Sequence, residues 1–143
     1  MYSATQVPDR TAFLLENGTD PTPELVASVN LVEAAGADFI AIPCNSAHAF
    51  LAPMRAAVSI PILDMIALVS AEAARVVPQA RCVGVLAASG SVKVGLYDKP
   101  LKKHGLVPLY PDFEVQDEIM AAIKDVKARS EERRVGKECR SRW

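Results

Sequence analysis

The sequence is poor in several residue types that would point to particular classes of protein. Its 143 residues include 3 cysteines, at positions 44, 82 and 139, and none of them belongs to a Cys-x-x-Cys pair. This number and spacing do not suit a disulfide framework, so we expect a reducing, cytoplasmic setting. The sequence contains 2 histidines, which limits the options for a metal centre or a Cys–His hydrolase.

Long apolar runs and an excess of charge of one sign are also missing. No run approaches the roughly 20 apolar residues that cross a bilayer. The first residues, "MYSATQVPDR", lack the basic region and apolar stretch of a signal peptide. The net charge of −1 gives no general attraction to nucleic acid or to an anionic membrane. We therefore expect a small-molecule partner, with no nucleic acid and no membrane.

Apolar runs alternate with amphipathic ones along the chain, and 50% of the residues are hydrophobic. The apolar runs predict buried strands at 37–42, 60–63, 82–88 and 106–110. The amphipathic stretches predict five helical regions: from Thr22, as N-cap, to Gly36; from Ser46, with a break or restart at Pro53; over 65–77, capped by Asp64; from 89 to His104, disturbed at Pro100; and over 113–129. This alternation predicts an α/β fold with a doubly wound parallel sheet.

Cys44 is the most informative single residue. The stretch "AGADFIAIPCNSAHAF" (35–50) places it directly after a predicted strand and before a predicted helix. Ligands bind at the carboxyl ends of parallel strands, and backbone N–H groups at a helix start favour the reactive thiolate. The same position also suits an inert buried cysteine. A metal site shared with His48 lacks a third ligand nearby in the sequence.

Five stretches resemble, in order and spacing, the aspartate/glutamate racemase family over residues 2–128. They are "PDRTAFLL", "AGADFIAIPCNSAHAF", "IPILDMI", "GVLAASGSVKVGLYDKPLKKHG" and "VQDEIMAAIKDVKA". The resemblance implies racemisation without pyridoxal phosphate or metal, and a homodimer. Two cysteines act on opposite faces of the substrate α-carbon, because inversion needs a base and an acid on opposite sides. Ser46 and Ser91 stand where the family usually has threonine.

The resemblance also assigns roles to individual residues. Cys44 would be one of the two catalytic cysteines. Asn45 and Ser46 would bind the α-carboxylate or α-amino region, or cap the helix, and Ser91 would add a hydroxyl. Arg10 and Lys127 would bind substrate carboxylates and so select aspartate or glutamate. We interpret His48 as a structural residue of a helix face and Cys82 as a core residue.

The sequence departs from the family in two places. The Gly-Cys-Thr-Glu-like setting of the second catalytic cysteine is missing, and Cys139 in "KECRSRW" is not given that role. The opening strand with its glycine-rich turn is missing too. We therefore expect an internal fragment that does not racemise by itself. Residues 1–78 would be the remainder of an N-terminal lobe, 79–128 the start of a second lobe, and 129–143 an atypical basic tail that is non-native or disordered.

Two other classes stay open. One is a non-catalytic α/β domain that binds a small molecule and in which Cys44 is inert. The other is a related enzyme of the wider superfamily, of the hydantoin racemase, maleate isomerase or arylmalonate decarboxylase type. Arg10 and Lys127 favour a dicarboxylic amino acid over these. A Cys44 that reacts with iodoacetamide well below pH 8 would favour an enzyme with a catalytic cysteine over a non-catalytic binding domain.

Overall fold

The computed structural model describes residues 1–16 and 18–134, which fall into two compact units. The first unit is Met1–Tyr110, and the second begins at Pro111. The first unit contains, in order, α1 (Arg10–Leu14), α2 (Thr22–Ala34), a 3₁₀ helix (Ser46–Phe50), α3 (Leu51–Ala57), α4 (Met65–Val76), β1 (Cys82–Gly84), α5 (Ser89–Lys93), α6 (Asp98–Lys103) and β2 (Val107–Leu109). The second unit contains α7 (Phe113–Arg134).

Parallel strand pairing confirms the α/β class. β1 pairs with β2 in parallel, and the connection between them runs through α5 and α6. Earlier in the chain, Ile40 and Ile62 form an isolated parallel bridge. The Ile40 N–H donates to the Pro61 carbonyl (2.9 Å), and the Leu63 N–H donates to the Ile40 carbonyl (2.8 Å). Both connections therefore follow the strand–helix–strand pattern of a parallel sheet.

All four predicted strands are shorter than expected, and the run at 106–110 contributes Val107–Leu109. The apolar runs at 37–42 and 60–63 contribute one bridged residue each, and the run at 82–88 contributes Cys82–Gly84. Each pairing involves one neighbouring strand, so few residues satisfy the ladder pattern that defines a strand. The prediction that Cys82 lies in the core is wrong. Strand β1 is covered incompletely, and Cys82 at its start is exposed.

Pro53 and Pro100, which were expected to interrupt longer helical stretches, each lie in the first turn of a new helix. Pro53 is the third residue of α3, and Pro100 is the third residue of α6. A proline is tolerated in the first helical turn, because the N–H groups there have no intrahelical acceptor. The break in the 89–104 stretch falls instead between α5 and α6, where Gly95 adopts a φ of +58°.

Helix α2 packs its predicted apolar face into the core, with Leu25 and Val29 buried. The cap differs from the expectation, because Pro21 occupies the N-cap position and Thr22 is the first helical residue. Asp20 Oδ1 accepts the Thr22 N–H (2.9 Å) and thereby replaces a Thr22 cap. For α4 the expected cap is confirmed, since Asp64 Oδ1 accepts the Ala67 N–H at 3.0 Å.

The buried side chains of the first unit form two separate hydrophobic clusters. One gathers residues between Leu25 and Ile62, with Met54 completely buried at its centre. The other gathers Val85, Ala87, Leu101 and Leu106. The two clusters mark two regions of packing within the unit, and the site described below lies where segments from both regions meet.

Helix α7 covers the predicted helix 113–129 and continues to Arg134. The rest of the segment that was expected to be a non-native or disordered tail, residues 135–143, lies outside the described residues. Of the helices in the described ranges, none is long and apolar enough to span a bilayer.

Candidate active site

Cys44 follows the bridged segment around Ile40 and immediately precedes the turn into the 3₁₀ helix. Its N–H donates to the Ile42 carbonyl at 2.8 Å, and its side chain is partly exposed. The expectation of a helix dipole at the thiol needs revision. The segment that follows is a five-residue 3₁₀ helix, which is too short to supply a sizeable dipole.

The positive charge beside the sulfur belongs to Arg10. The guanidinium Nη2 lies 3.9 Å from Cys44 Sγ, within hydrogen-bonding range for sulfur. Nη1 donates to the carbonyls of Val7 (3.1 Å) and Pro8 (2.9 Å), which fixes the orientation of the group. Asp9 caps α1 by accepting the Ala12 N–H, so the backbone that carries Arg10 is also held. The structure thus brings together two of the residues that the sequence singled out.

Ser46, in the same turn, contacts Ser91 in the protein interior. Their hydroxyl oxygens lie 3.0 Å apart, and both residues are buried. Neither Asn45 nor Ser46 caps the 3₁₀ helix: Asn45 makes no side-chain cap hydrogen bond, and the Ser46 hydroxyl bonds to Ser91. The pair joins the cysteine turn to the start of α5, since Ser46 lies two residues after Cys44.

Close packing of α5 against α1 allows the Ser91 hydroxyl to reach the Ser46 hydroxyl. Gly90 approaches α1 so closely that a Cβ on it would lie 3.0 Å from Thr11 Cα and 3.1 Å from Leu14 Cβ. Lys93 Nζ also forms an ion pair with Glu16 Oε1 at 2.9 Å, and this bond lowers the pKa of Glu16. The glycine and the ion pair hold α5 in the place where Ser91 reaches Ser46.

A cavity of about 800 Å³ opens beside Cys44, and both Cys44 and Arg10 line it. Its other walls are mostly apolar, with contributions from Val29, Val32, Ile40, Leu63, Met65 and Leu68. The volume is within the usual range for small-molecule sites, which combine apolar walls with a few polar groups. Asn45, Ser46 and Ser91 are not among the lining residues, so the hydroxyl pair lies behind the cavity wall.

Two further residues from the sequence analysis are Lys127 and His48. Lys127 lies in α7 of the second unit. His48 is buried, and both of its ring nitrogens are engaged: Nδ1 with the Cys44 carbonyl (2.8 Å) and Nε2 with the Met65 N–H (3.1 Å). A metal shared by Cys44 and His48 is therefore ruled out in this arrangement. In the described ranges, no three His, Cys, Asp or Glu side chains cluster around a possible metal position.

Together, the parallel α/β architecture and a cysteine–arginine pair at the wall of a cavity are typical of an enzyme that acts on a small molecule. The family model for Asp/Glu/hydantoin racemases matches residues 1–142. The chain belongs to this family.

Individual relatives agree with this assignment. The chain is 32% identical over 96 residues to the broad specificity amino-acid racemase RacX of Bacillus subtilis (strain 168), which is 65% of this chain and 40% of that protein. It is 25% identical to the solved aspartate racemase of Picrophilus torridus, with a TM-score of 0.76 over 89% of this chain and 52% of that chain. An aspartate racemase homologue from Pyrococcus horikoshii OT3 gives a TM-score of 0.60 at 25% identity, over 71% of this chain and 44% of that chain. The chain therefore spans about half, or less, of the length of these relatives.

Proposed function

We propose that this chain provides one proton-transfer face of a cofactor-independent racemase for an acidic amino acid, aspartate or glutamate. The observation that carries the proposal is the 3.9 Å separation between Arg10 Nη2 and Cys44 Sγ at the wall of a shared cavity. Such a pair offers a base for an α-proton and a cation for the neighbouring carboxylate in one place. Family membership and the two racemase-type solved structures support the reaction class.

The chemistry assigns different tasks to the two residues. The Cys44 thiolate takes the α-proton and becomes a thiol, while the electron pair of the broken C–H bond passes to the α-carbon and its carboxylate. Arg10 stabilises that developing charge, because a fixed guanidinium needs no reorganisation as the charge appears. The Val7 and Pro8 carbonyls occupy Nη1. Nη2 carries two N–H groups, one for the sulfur and one for a substrate carboxylate.

The other candidate residues complete the proposed site. Asn45 binds the α-carboxylate or the α-amino group from the cysteine turn, and Lys127 binds the side-chain carboxylate. Ser46 and Ser91 contribute through their buried hydroxyl pair, which fixes the turn that carries the sulfur. Support for the serine assignments is their 3.0 Å contact two residues beyond Cys44.

Inversion requires a second proton donor on the opposite face of the α-carbon. Cys82 is exposed and does not line the cavity, and Cys139 lies outside the described residues. We therefore propose that this 143-residue chain removes and returns an α-proton on one face but does not racemise. A single base returns the proton to the side from which it was taken.

The cavity walls favour a second candidate for the substrate. Apart from Arg10, the lining is mainly apolar, which suits an amino acid with a less polar side chain. The similar RacX is named as a broad specificity racemase. The acidic-substrate proposal therefore depends on Lys127, while the racemisation proposal depends on Cys44 and Arg10.

Deuterium incorporation at the α-carbon tests the function and the substrate together. The chain is incubated in D₂O with aspartate, glutamate, leucine or methionine, and the α-proton signal is followed by NMR. We expect exchange with aspartate or glutamate that is lost in Cys44→Ser and retained in the matched Cys82→Ser variant. Exchange confined to leucine and methionine would favour the second candidate. Exchange that persists in Cys44→Ser would contradict both.

Further properties are proposed on the strength of family membership. These are independence from pyridoxal phosphate, assembly as a homodimer and a cytoplasmic location. The division into lobes at 1–78 and 79–128 is a further proposal. The fully buried members of the two clusters lie on either side of residue 78, although Ala73 and Ala74 pack against the second cluster and the compact units divide after Tyr110. Gel filtration with light scattering tests the dimer at micromolar concentration.

A further inference from the structure

His48 bridges the cysteine turn and the start of helix α4. The residue is 5% exposed, and its two ring nitrogens contact the Cys44 carbonyl oxygen at 2.8 Å and the Met65 backbone nitrogen at 3.1 Å. The Met65 N–H can only donate, so Nε2 accepts and carries no proton. The proton of the neutral ring is therefore on Nδ1, which donates to the carbonyl of Cys44. Both contacts together fix one neutral tautomer.

The far end of this bridge is itself braced. Asp64 caps α4 through the Ala67 N–H, and its other carboxylate oxygen lies 3.6 Å from Arg55 Nη2. The same Arg55 nitrogen donates to the Ile62 carbonyl at 3.3 Å. The segment 62–65 is thus held from α3 and from its own helix cap, so His48 ties the cysteine turn to a fixed point.

The near end of the bridge acts on the backbone of Cys44. The Cys44 N–H already donates to the Ile42 carbonyl, and His48 engages the Cys44 carbonyl. With both backbone polar groups held, rotation about the Cα–Cβ bond is the main freedom left to the sulfur. The 3.9 Å contact with Arg10 then depends on where the backbone holds that bond.

We propose that His48 is a positioning residue that keeps the Cys44 sulfur beside Arg10 by linking the cysteine turn to the start of α4. This role rests on the proposed function for its catalytic meaning. The bridge works as a unit, because releasing either end frees the turn. If His48 only filled the core, replacing it would disturb the Cys44–Arg10 contact in proportion to the loss in free energy of unfolding.

Three substitutions separate the two possibilities. In a Cys82→Ser/Cys139→Ser background, His48→Asn places an amide N–H near the Nδ1 position, and His48→Gln places a carboxamide oxygen near the Nε2 position. Each keeps one bond, whereas His48→Ala keeps none. Ser70→Ala is the matched control, because it removes a buried hydrogen bond within α4, from Ser70 Oγ to the Ile66 carbonyl.

The readout is the ratio of Cys44 alkylation rates with iodoacetate and iodoacetamide. Both reagents need the thiolate, so the ratio reports the nearby cation rather than the degree of ionisation. We expect the ratio to fall by up to about five-fold in all three His48 variants, although Asn and Gln lose less stability than Ala. Ser70→Ala should lower the stability and leave the ratio unchanged.

Two results would overturn the proposal. One is an iodoacetate-to-iodoacetamide ratio that is unchanged in all three His48 variants, or that falls only in proportion to each variant's loss in free energy of unfolding. The other is a ¹⁵N NMR spectrum of the unsubstituted chain in which Nε2 of His48, rather than Nδ1, is protonated. Alkylation needs no α-proton chemistry, so failure of the racemase proposal in the deuterium experiment is recognised separately.

Discussion

The guanidinium of Arg10 lies 3.9 Å from the sulfur of Cys44, although 34 residues separate the two in the chain. This contact predicts a preference of Cys44 for anionic alkylating reagents. Replacement of Arg10 by glutamine should lower the iodoacetate-to-iodoacetamide rate ratio by about three- to five-fold at low salt, which is typical of a partly exposed charge pair. The ratio of the unsubstituted chain should itself decline as salt is added.

The exposed Cys82, measured in a Cys44→Ser variant, is the control. It should show the same ratio whether residue 10 is arginine or glutamine. An unchanged Cys44 ratio would mean that Arg10 does not act on the sulfur.

The buried Ser46–Ser91 pair predicts strong coupling between the two residues. Alanine at either position leaves the other hydroxyl buried without its partner, at a cost of about 1–2 kcal/mol in the free energy of unfolding. Alanine at both positions should cost little more than one replacement, so a double-mutant cycle in urea gives a coupling of at least about 0.5 kcal/mol. Additive losses would show that the hydroxyl pair does not hold the turn to α5.

The close approach of α5 to α1 predicts an intolerant glycine. In Gly90→Ala, the new Cβ meets the backbone of Thr11 at 3.0 Å and pushes the helices apart. We expect a net loss of about 1 kcal/mol, because the steric cost exceeds the gain in helix propensity. Gly84→Ala is the matched control, since nothing lies within 4 Å of its Cβ position. Urea unfolding of both variants checks the difference, and a stabilised Gly90→Ala would contradict the packing described.

Glu33 predicts a pH-dependent contribution to stability. Its Oε1 accepts from the Ser59 hydroxyl (2.6 Å) and from the Ser59 and Ile60 N–H groups (2.7 and 3.2 Å). These bonds, led by the Ser59 hydroxyl, lower the pKa of Glu33 from its ordinary value of 4.5. The folded-state pKa lies below the unfolded one, so the stabilisation is present above pH 4.5 and is lost as the pH falls through the folded-state value.

Glu33→Gln should therefore be less stable than the unsubstituted chain at pH 7, and the difference should shrink as the pH falls below 4.5. Ser59→Ala removes the main donor of the same interaction and should show the same trend. Denaturant unfolding at several pH values measures both. A difference that is constant across this range would show that the Glu33 charge does not contribute.

The sequence predicted much of the fold because its signals were local. The amphipathic helices, the strand after α6 and the Asp64 cap depend on residues within one or two turns of each other. The predicted caps at Thr22 and at Asn45 or Ser46 were not found. The helix breaks were harder to predict, because Pro53 and Pro100 fall where a proline costs nothing. Strand lengths and the exposure of Cys82 depend on which segments cover the sheet, and local patterns do not contain that information.

For the site, the family resemblance pointed to residues of which the structure brings two pairs into contact. Arg10 contacts Cys44, and Ser46 contacts Ser91 across 45 residues. The bridging contacts of His48 were not predictable, because its partners are backbone groups and a backbone N–H or carbonyl leaves no trace in the sequence. The only available signal was its spacing of four residues from Cys44, which fits a helix-face residue equally well.

Enantiomer-specific deuterium exchange tests the central claim most directly. L- and D-aspartate are incubated separately with the 143-residue chain in D₂O, in a Cys82→Ser/Cys139→Ser background, and the α-proton and the configuration are both followed. With Cys44 as the one base, we predict deuterium in a single enantiomer with its configuration retained, and no exchange after Cys44→Ser. Equal exchange of both enantiomers, or exchange that survives Cys44→Ser, would contradict the account.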